Sequence, residues 1–174
     1  MLFALGSNGA GQLGLGHDED VAQPEQTCIP PSFLHAPLKA IAAGGNHTSF
    51  LTTSGQLWIE GSSSDIIRNA CGRQEDLGYI NLCASTWNAV ICATSTGKVW
   101  SYGTECTKGE LGLGGNIGNE SVGIHETDED GAFMKGFPPS GTAIVDLAAS
   151  MGHTVAVLSN GDVYGWGNGR KGQL

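Results

Sequence analysis

The chain has 174 residues, a formal net charge of −9, 14% charged residues and 40% hydrophobic ones. That length allows one domain with its own core. The acidic balance works against direct contact with nucleic-acid phosphates or anionic lipid and leaves a basic protein surface as a suitable partner.

No run approaches the ~18 apolar residues of a membrane-spanning helix. The N-terminus has neither the basic nor the apolar stretch of a secretory signal, so an intracellular, soluble protein is expected. Glycine stands at 28 of 174 positions, roughly twice the usual ~7%. With this much apolar residue, such a content fits a folded chain with many tight turns and not a disordered one. The five cysteines, Cys28, Cys71, Cys83, Cys92 and Cys106, form no C-x-x-C pair and lie far from histidine. They are expected to be reduced thiols outside any zinc site.

Leu2 to Leu5 is predicted as a strand ending at Gly6. Behind it, Gly9-Ala10-Gly11-Gln12-Leu13-Gly14 matches G-x-G-x-x-G, the loop that cradles a dinucleotide pyrophosphate. That role requires a helix next, with its amides facing the phosphates. The following residues, "LGLGHDEDVAQPEQ", place glycines and a proline too closely for one. His17, Asp18, Glu19 and Asp20 then form an acidic cluster without the ligand spacing of a calcium loop. It is a candidate partner-binding loop.

Three stretches further along repeat one pattern: "IAAGGNHTSFLTTSGQLWIEG" (41–61), "LCASTWNAVICATSTGKVWSYG" (82–103) and "LAASMGHTVAVLSNGDVYGWG" (147–167). Each gives a short strand (Ser49 to Thr53, Ala89 to Thr94, Thr154 to Ser159) and a glycine turn at Gly55, Gly97 or Gly161. Asn160-Gly161 is a strong hairpin signal. The next strand carries Trp58, Trp100, or Tyr164 with Trp166, as inter-blade packing residues. The terminal glycines Gly6, Gly61, Gly103 and Gly167 are separated by 55, 42 and 64 residues, a spacing near the ~50 of propeller arrays. The turn after Gly6 returns as "TKGELGLG", which includes Gly112, and as "GRKGQL"; after Gly61 it is lost. His47 and His153, each in a polar turn preceded by small residues such as Gly44, recur once per repeat and are expected to serve the blade. Asn88 is read at their position in the middle copy, and with Ser85 and Trp87 it marks that blade as irregular. Residues 115–141 form an acidic loop in which Glu126, Asp128, Glu129 and Asp130 are a second candidate partner-binding cluster. No stretch keeps a helical period. No nucleophile elbow, phosphate-loop lysine or metal-ligand spacing appears, so no enzyme and no cofactor is expected.

"IAAGGNHTSFLTTSGQLW", "LAASMGHTVAVLSNGDVYGWGNGRKGQL" and "GSNGAGQLGLGHDED" together resemble regulator-of-chromosome-condensation repeats. The resemblance implies an all-β fold of seven-bladed β-propeller type. Here it would be a partial propeller spanning 1–174: an opening strand plus about three blades, with repeats near 1–16, 41–61, 82–114 and 147–174. About 50 residues per blade would make a full ring roughly twice this long, so the chain is expected to be an N-terminal fragment. The opening strand would then lack its closing blade, and exposed faces would favour self-association. The short start and degenerate copies resemble the fungal alpha-tubulin suppressor branch. That implies a small zinc-ribbon protein partner, with a role in Elongator tRNA wobble-uridine modification and diphthamide synthesis, in cytoplasm or nucleus. The alternatives are an exchange factor for a small nuclear GTPase and a repeat segment of a larger multidomain protein. Neither nucleic acid nor membrane is expected as a direct partner.

Overall fold

The structure, a computed structural model, describes residues 1–62, 78–103, 106–112, 125–126 and 137–174. Twelve strands occur among them: β1 (Phe3–Gly6), β2 (Val21–Gln26), β3 (Leu38–Ala43), β4 (His47–Thr52), β5 (Leu57–Gly61), β6 (Ile80–Ser85), β7 (Ala89–Thr94), β8 (Val99–Gly103), β9 (His125–Glu126), β10 (Ile144–Ala149), β11 (His153–Leu158) and β12 (Val163–Gly167). The sole helical element among the described residues is a three-residue 3-10 turn, Phe33–His35.

The strands form antiparallel sheets in sequence order: β1-β2, β3-β4-β5, β6-β7-β8-β9 and β10-β11-β12. The last three are blades of one design. Ile41 faces Phe50, Cys83 faces Cys92 and Leu147 faces Ala156 on the first pair of strands. On the second pair, Phe50 faces Trp58, Cys92 faces Trp100 and Ala156 faces Tyr164. A bulge interrupts each first strand at the same place, between Leu38 and Ala40, Ile80 and Leu82, and Ile144 and Asp146. The chain is thus an all-β partial propeller. The middle blade, expected to be irregular, keeps the register of its neighbours, because the departures at Ser85, Trp87 and Asn88 fall in and beside a turn. The opening strand has a partner of its own. β1 is paired along one edge by β2, with Phe3 opposite Gln26, and Leu2 packs on a cluster of Ile29, Phe33 and Phe50.

Blade faces bury against one another. Leu51, Leu57 and Ile59 of the first blade close on Ile80, Val90, Cys92, Trp100 and Tyr102 of the second. Ala89, Ile91 and Val99 on the opposite face of the second close on Ile144, Ala156, Leu158 and Trp166 of the third. Each fully buried aliphatic side chain contributes about 1.5–3 kcal/mol. Aromatics of the blade strands pack as well: Trp58 tilts on Phe33 at 5.7 Å, and Phe137 meets Tyr164 at 5.0 Å and Trp166 at 5.8 Å between ring centres. The first strands lie innermost, since β6 packs against β3 and β10.

Candidate interaction surface

His47 and His153 open the second strand of their blades instead of lying in the turn before it. Each pairs with a terminal glycine, His47 with Gly61 and His153 with Gly167. In the middle blade Ala89 pairs with Gly103, so Ala89 and not Asn88 occupies the histidine position. The turn before this position has three residues in every blade, 44–46, 86–88 and 150–152, so Asn88 aligns with Asn46 and Gly152, and its polar side chain suggested the wrong position. A second exchange compensates for the first. The His47 ring lies on Gly44, where an added Cβ would collide with the imidazole. Where alanine replaces histidine, Thr86 replaces Gly44, and its hydroxyl accepts the Ala89 N–H at 3.0 Å. His47 is 5% exposed, and its Nε2 has no hydrogen-bond partner among the described residues. Burial holds its pKa below the ordinary 6.5.

The terminal glycines crowd the same turn. Gly61 and Gly167 have φ of +109° and +106°, and a Cβ on either would strike the carbonyl oxygen of Asn46 or Gly152. Gly6 shares the conformation at φ +117°. Gly103 does not, but a Cβ there would lie 2.6 Å from the Asn88 carbonyl oxygen. At the other end of the blades, Gly55, Gly97 and Gly161 occupy hairpin turns at φ +78°, +86° and +90°.

The turns between the first and second strands are joined from blade to blade by main-chain hydrogen bonds. Gly45 N–H donates to the Trp87 carbonyl at 3.0 Å, and Trp87 N–H donates to the Met151 carbonyl at 2.9 Å. The Trp87 ring covers Gly45, leaving no room for a Cβ. Trp87 and Met151 nevertheless remain 52% and 68% exposed. This ladder fixes two large apolar side chains at the inner rim of one end of the propeller.

The loops after the terminal glycines lie at the same end. In the loop opening the chain, the Asn8 side chain is fully buried. It donates to the His17 carbonyl and accepts the Leu13 N–H, at 2.7 and 2.9 Å. Gly11 N–H donates to the Asn8 carbonyl and Gly14 N–H to the Gly11 carbonyl. These are two linked turns with φ of +70° and +66° at the glycines, and the chain continues into β2. The G-x-G-x-x-G spacing therefore marks a double turn with no helix behind it. The same turn recurs with Gly109 and Gly112, and with Gly172. Gln12, Glu110 and Gln173 each accept the N–H two residues earlier, at 2.7–2.8 Å. The first two loops reach the following blade: Gly14 lies against the Glu60 side chain, and Gly109 and Glu110 lie against Gly167 and Gly152.

Between the first loop and its blade runs an open cavity of about 600 Å³, lined by Gly9, Gly11, His17, Asp18, Glu60 and Gly61 among others. His17, Asp18, Glu19 and Asp20 are all exposed beside it. Asp20 also accepts Ser7 Oγ and the Asn8 N–H, at 3.2 and 2.7 Å, so it shapes the loop. His17 Nε2 lies 3.5 Å from Glu25. Of the second acidic cluster, Glu126 pairs with Trp100 through β9, while Asp128, Glu129 and Asp130 lie outside the described residues. Trp87 and Met151 were missed as surface candidates, because their exposure depends on the turn ladder and not on any local pattern. No group of three or more metal-ligating side chains occurs among the described residues, and no helix there is long and apolar enough to cross a membrane.

Family models described as regulator of chromosome condensation (RCC1) repeat match residues 1–51 and 144–173. An RCC1 repeat-containing protein of Schizosaccharomyces pombe is 33% identical over the whole of this chain and half of its own length. The secretion-regulating guanine nucleotide exchange factor of Bos taurus is 30% identical over 97% of this chain and 35% of its own. This chain therefore spans half or less of the curated relatives it matches. Among solved structures, Prp20p of Saccharomyces cerevisiae superposes with a TM-score of 0.69 at 22% identity, covering 99% of this chain and 42% of Prp20p. Human WBSCR16 gives 0.70 at 19% identity, over 95% of this chain and 42% of its own.

Proposed function

Because the chain belongs to the regulator of chromosome condensation repeat family, we propose that it is a non-enzymatic docking module. It would present the end that bears the Trp87–Met151 rim to a protein partner. The observation that carries this reading is the exposure of Trp87 and Met151 on turns tied together by main-chain bonds. Aromatic anchors on a rigid frame lose little freedom on binding and tend to dominate an interface. The exposed carboxylates Asp18, Glu19 and Asp20 would rim the contact and favour a partner with basic groups, and the acidic sequence Glu126 to Asp130 is proposed to add to that preference.

The partner we propose is a small zinc-ribbon protein, with action in Elongator tRNA wobble-uridine modification and diphthamide synthesis, in the cytoplasm or nucleus. The likeness of the opening "LFALGSNGAGQLGLGHDED" to the alpha-tubulin suppressor branch supports it. A second reading, nucleotide exchange on a small GTPase, is favoured by the name of the bovine relative. It is also favoured by the Prp20p structure, described with its binding to Gsp1p and histones. The test titrates the 174-residue chain with the zinc-ribbon protein and, separately, with a nucleotide-loaded GTPase. Saturable zinc-ribbon binding weakened about tenfold or more by Trp87→Ala or Met151→Ala, without accelerated nucleotide release, is the expected result. Faster release selects the second reading, and failure of both overturns the docking proposal.

A further inference from the structure

The middle blade holds a pair of thiols where its neighbours hold apolar pairs. Cys83 on β6 faces Cys92 on β7, as Ile41 faces Phe50 and Leu147 faces Ala156. Both side chains join the same inter-blade cluster of Ile80, Val90 and Trp100, so the two sulfurs lie on one face of the sheet. The hydrogen-bond parity of the hairpin fixes what kind of pair this is. Thr86 N–H donates to the Ala89 carbonyl, which makes 86 and 89 a hydrogen-bonded pair. Counting back along the register, 85 and 90 are non-bonded, 84 and 91 bonded, and 83 and 92 non-bonded. Non-bonded pairs bring Cα atoms to about 4.5 Å and side chains closest together. That separation lies inside the ~4.4–6.8 Å range of disulfides. Both residues are thiols in the structure. Cys92 is fully buried, while Cys83 is partly open to solvent.

We propose that Cys83 and Cys92 form a dithiol modification site, closed by hydrogen peroxide into a cross-strand disulfide. The Cys83 sulfur attacks one peroxide oxygen; the O–O bond breaks, and the departing oxygen leaves as water after taking up a proton. Cys83 is then a sulfenic acid. The Cys92 sulfur attacks it, the S–O bond breaks, and the second oxygen leaves as water with the Cys92 proton. Two thiols lose two electrons and two protons, and one peroxide becomes two waters. Burial pushes the Cys83 thiol up to about 11, against an opposing pull from the Lys39 ammonium, so the first step is slow. The second is fast because its partner is already in place.

The experiment treats the native 174-residue chain with hydrogen peroxide, alkylates the remaining thiols and maps peptides by mass spectrometry. The expected product links Cys83 to Cys92, has lost two hydrogens and is restored by dithiothreitol. In urea the same treatment gives this link at a much lower yield relative to other cysteine pairs. Amide exchange across β6 and β7 slows in the oxidised form. Recovery of both thiols as alkylated peptides after oxidation elsewhere overturns the proposal. An equal yield in urea does so as well, since the nine-residue separation and not the blade register would then make the pair.

Discussion

At the scale of single residues, backbone conformation and burial decide the outcome. Gly61→Ala and Gly167→Ala place a methyl group against a carbonyl oxygen at positive φ. Each is expected to cost about 1–3 kcal/mol in urea unfolding. Gly9→Ala, which has open space and ordinary φ, is the control and should stay within about 0.5 kcal/mol of the parent. The buried His47 gives a pH dependence of definite sign. Unfolded, the imidazole titrates near 6.5; folded, burial holds it lower. The unfolded chain therefore takes up the proton first. The stability carried by the neutral ring is present above about 6.5 and is lost as pH falls from there toward the folded value. Unfolding free energies compared at pH 7.5 and below 6 test it, with His47→Gln expected to flatten the difference.

At the scale of the blade, the exchange of Gly44 and His47 for Thr86 and Ala89 predicts a coupled pair. Gly44→Thr alone drives a side chain into the imidazole, at about 1–3 kcal/mol. His47→Ala alone empties the space above Gly44. The double variant rebuilds the arrangement of the middle blade and should recover about 1 kcal/mol or more of the summed losses. Additive losses in a double-mutant cycle would contradict the pairing. This coupling shows why the sequence revealed the blades but misplaced one of their residues. Glycine turns and strand aromatics recur at fixed offsets, so Gly55, Gly97 and Gly161 were legible with Trp58, Trp100 and Tyr164. The histidine position was not, because Ala89 satisfies it only through Thr86. Bulges at Lys39, Asn81 and Val145 escaped notice for a similar reason: each adds a residue without changing composition. β2 was missed because "VAQPEQ" has neither alternation nor β-branched enrichment; pairing with β1 makes it a strand.

At the scale of the whole molecule, the proposed interaction surface forms only once the blades are assembled. The acidic loops were visible as charge, but Trp87 looked like a defect until the ladder placed it at the rim. Ile41 and Val145 on the inner strands are 56% and 53% exposed, and Met151 and Trp87 are exposed as well, apolar surface of the kind that favours association. The isolated chain is expected to associate, with an apparent mass and a melting midpoint that rise with concentration in ultracentrifugation and calorimetry. A sharp, concentration-independent melt of a monomer would contradict this. The bonds from Gly45 to Trp87 and from Trp87 to Met151 have a different consequence, one for inheritance. A joint written wholly in peptide groups is copied whatever letters the gene supplies at 87 and 151, proline at 87 excepted because it removes a donor. The rim can therefore drift in side-chain identity while its geometry persists, so that one frame can acquire new partners without first learning to fold again.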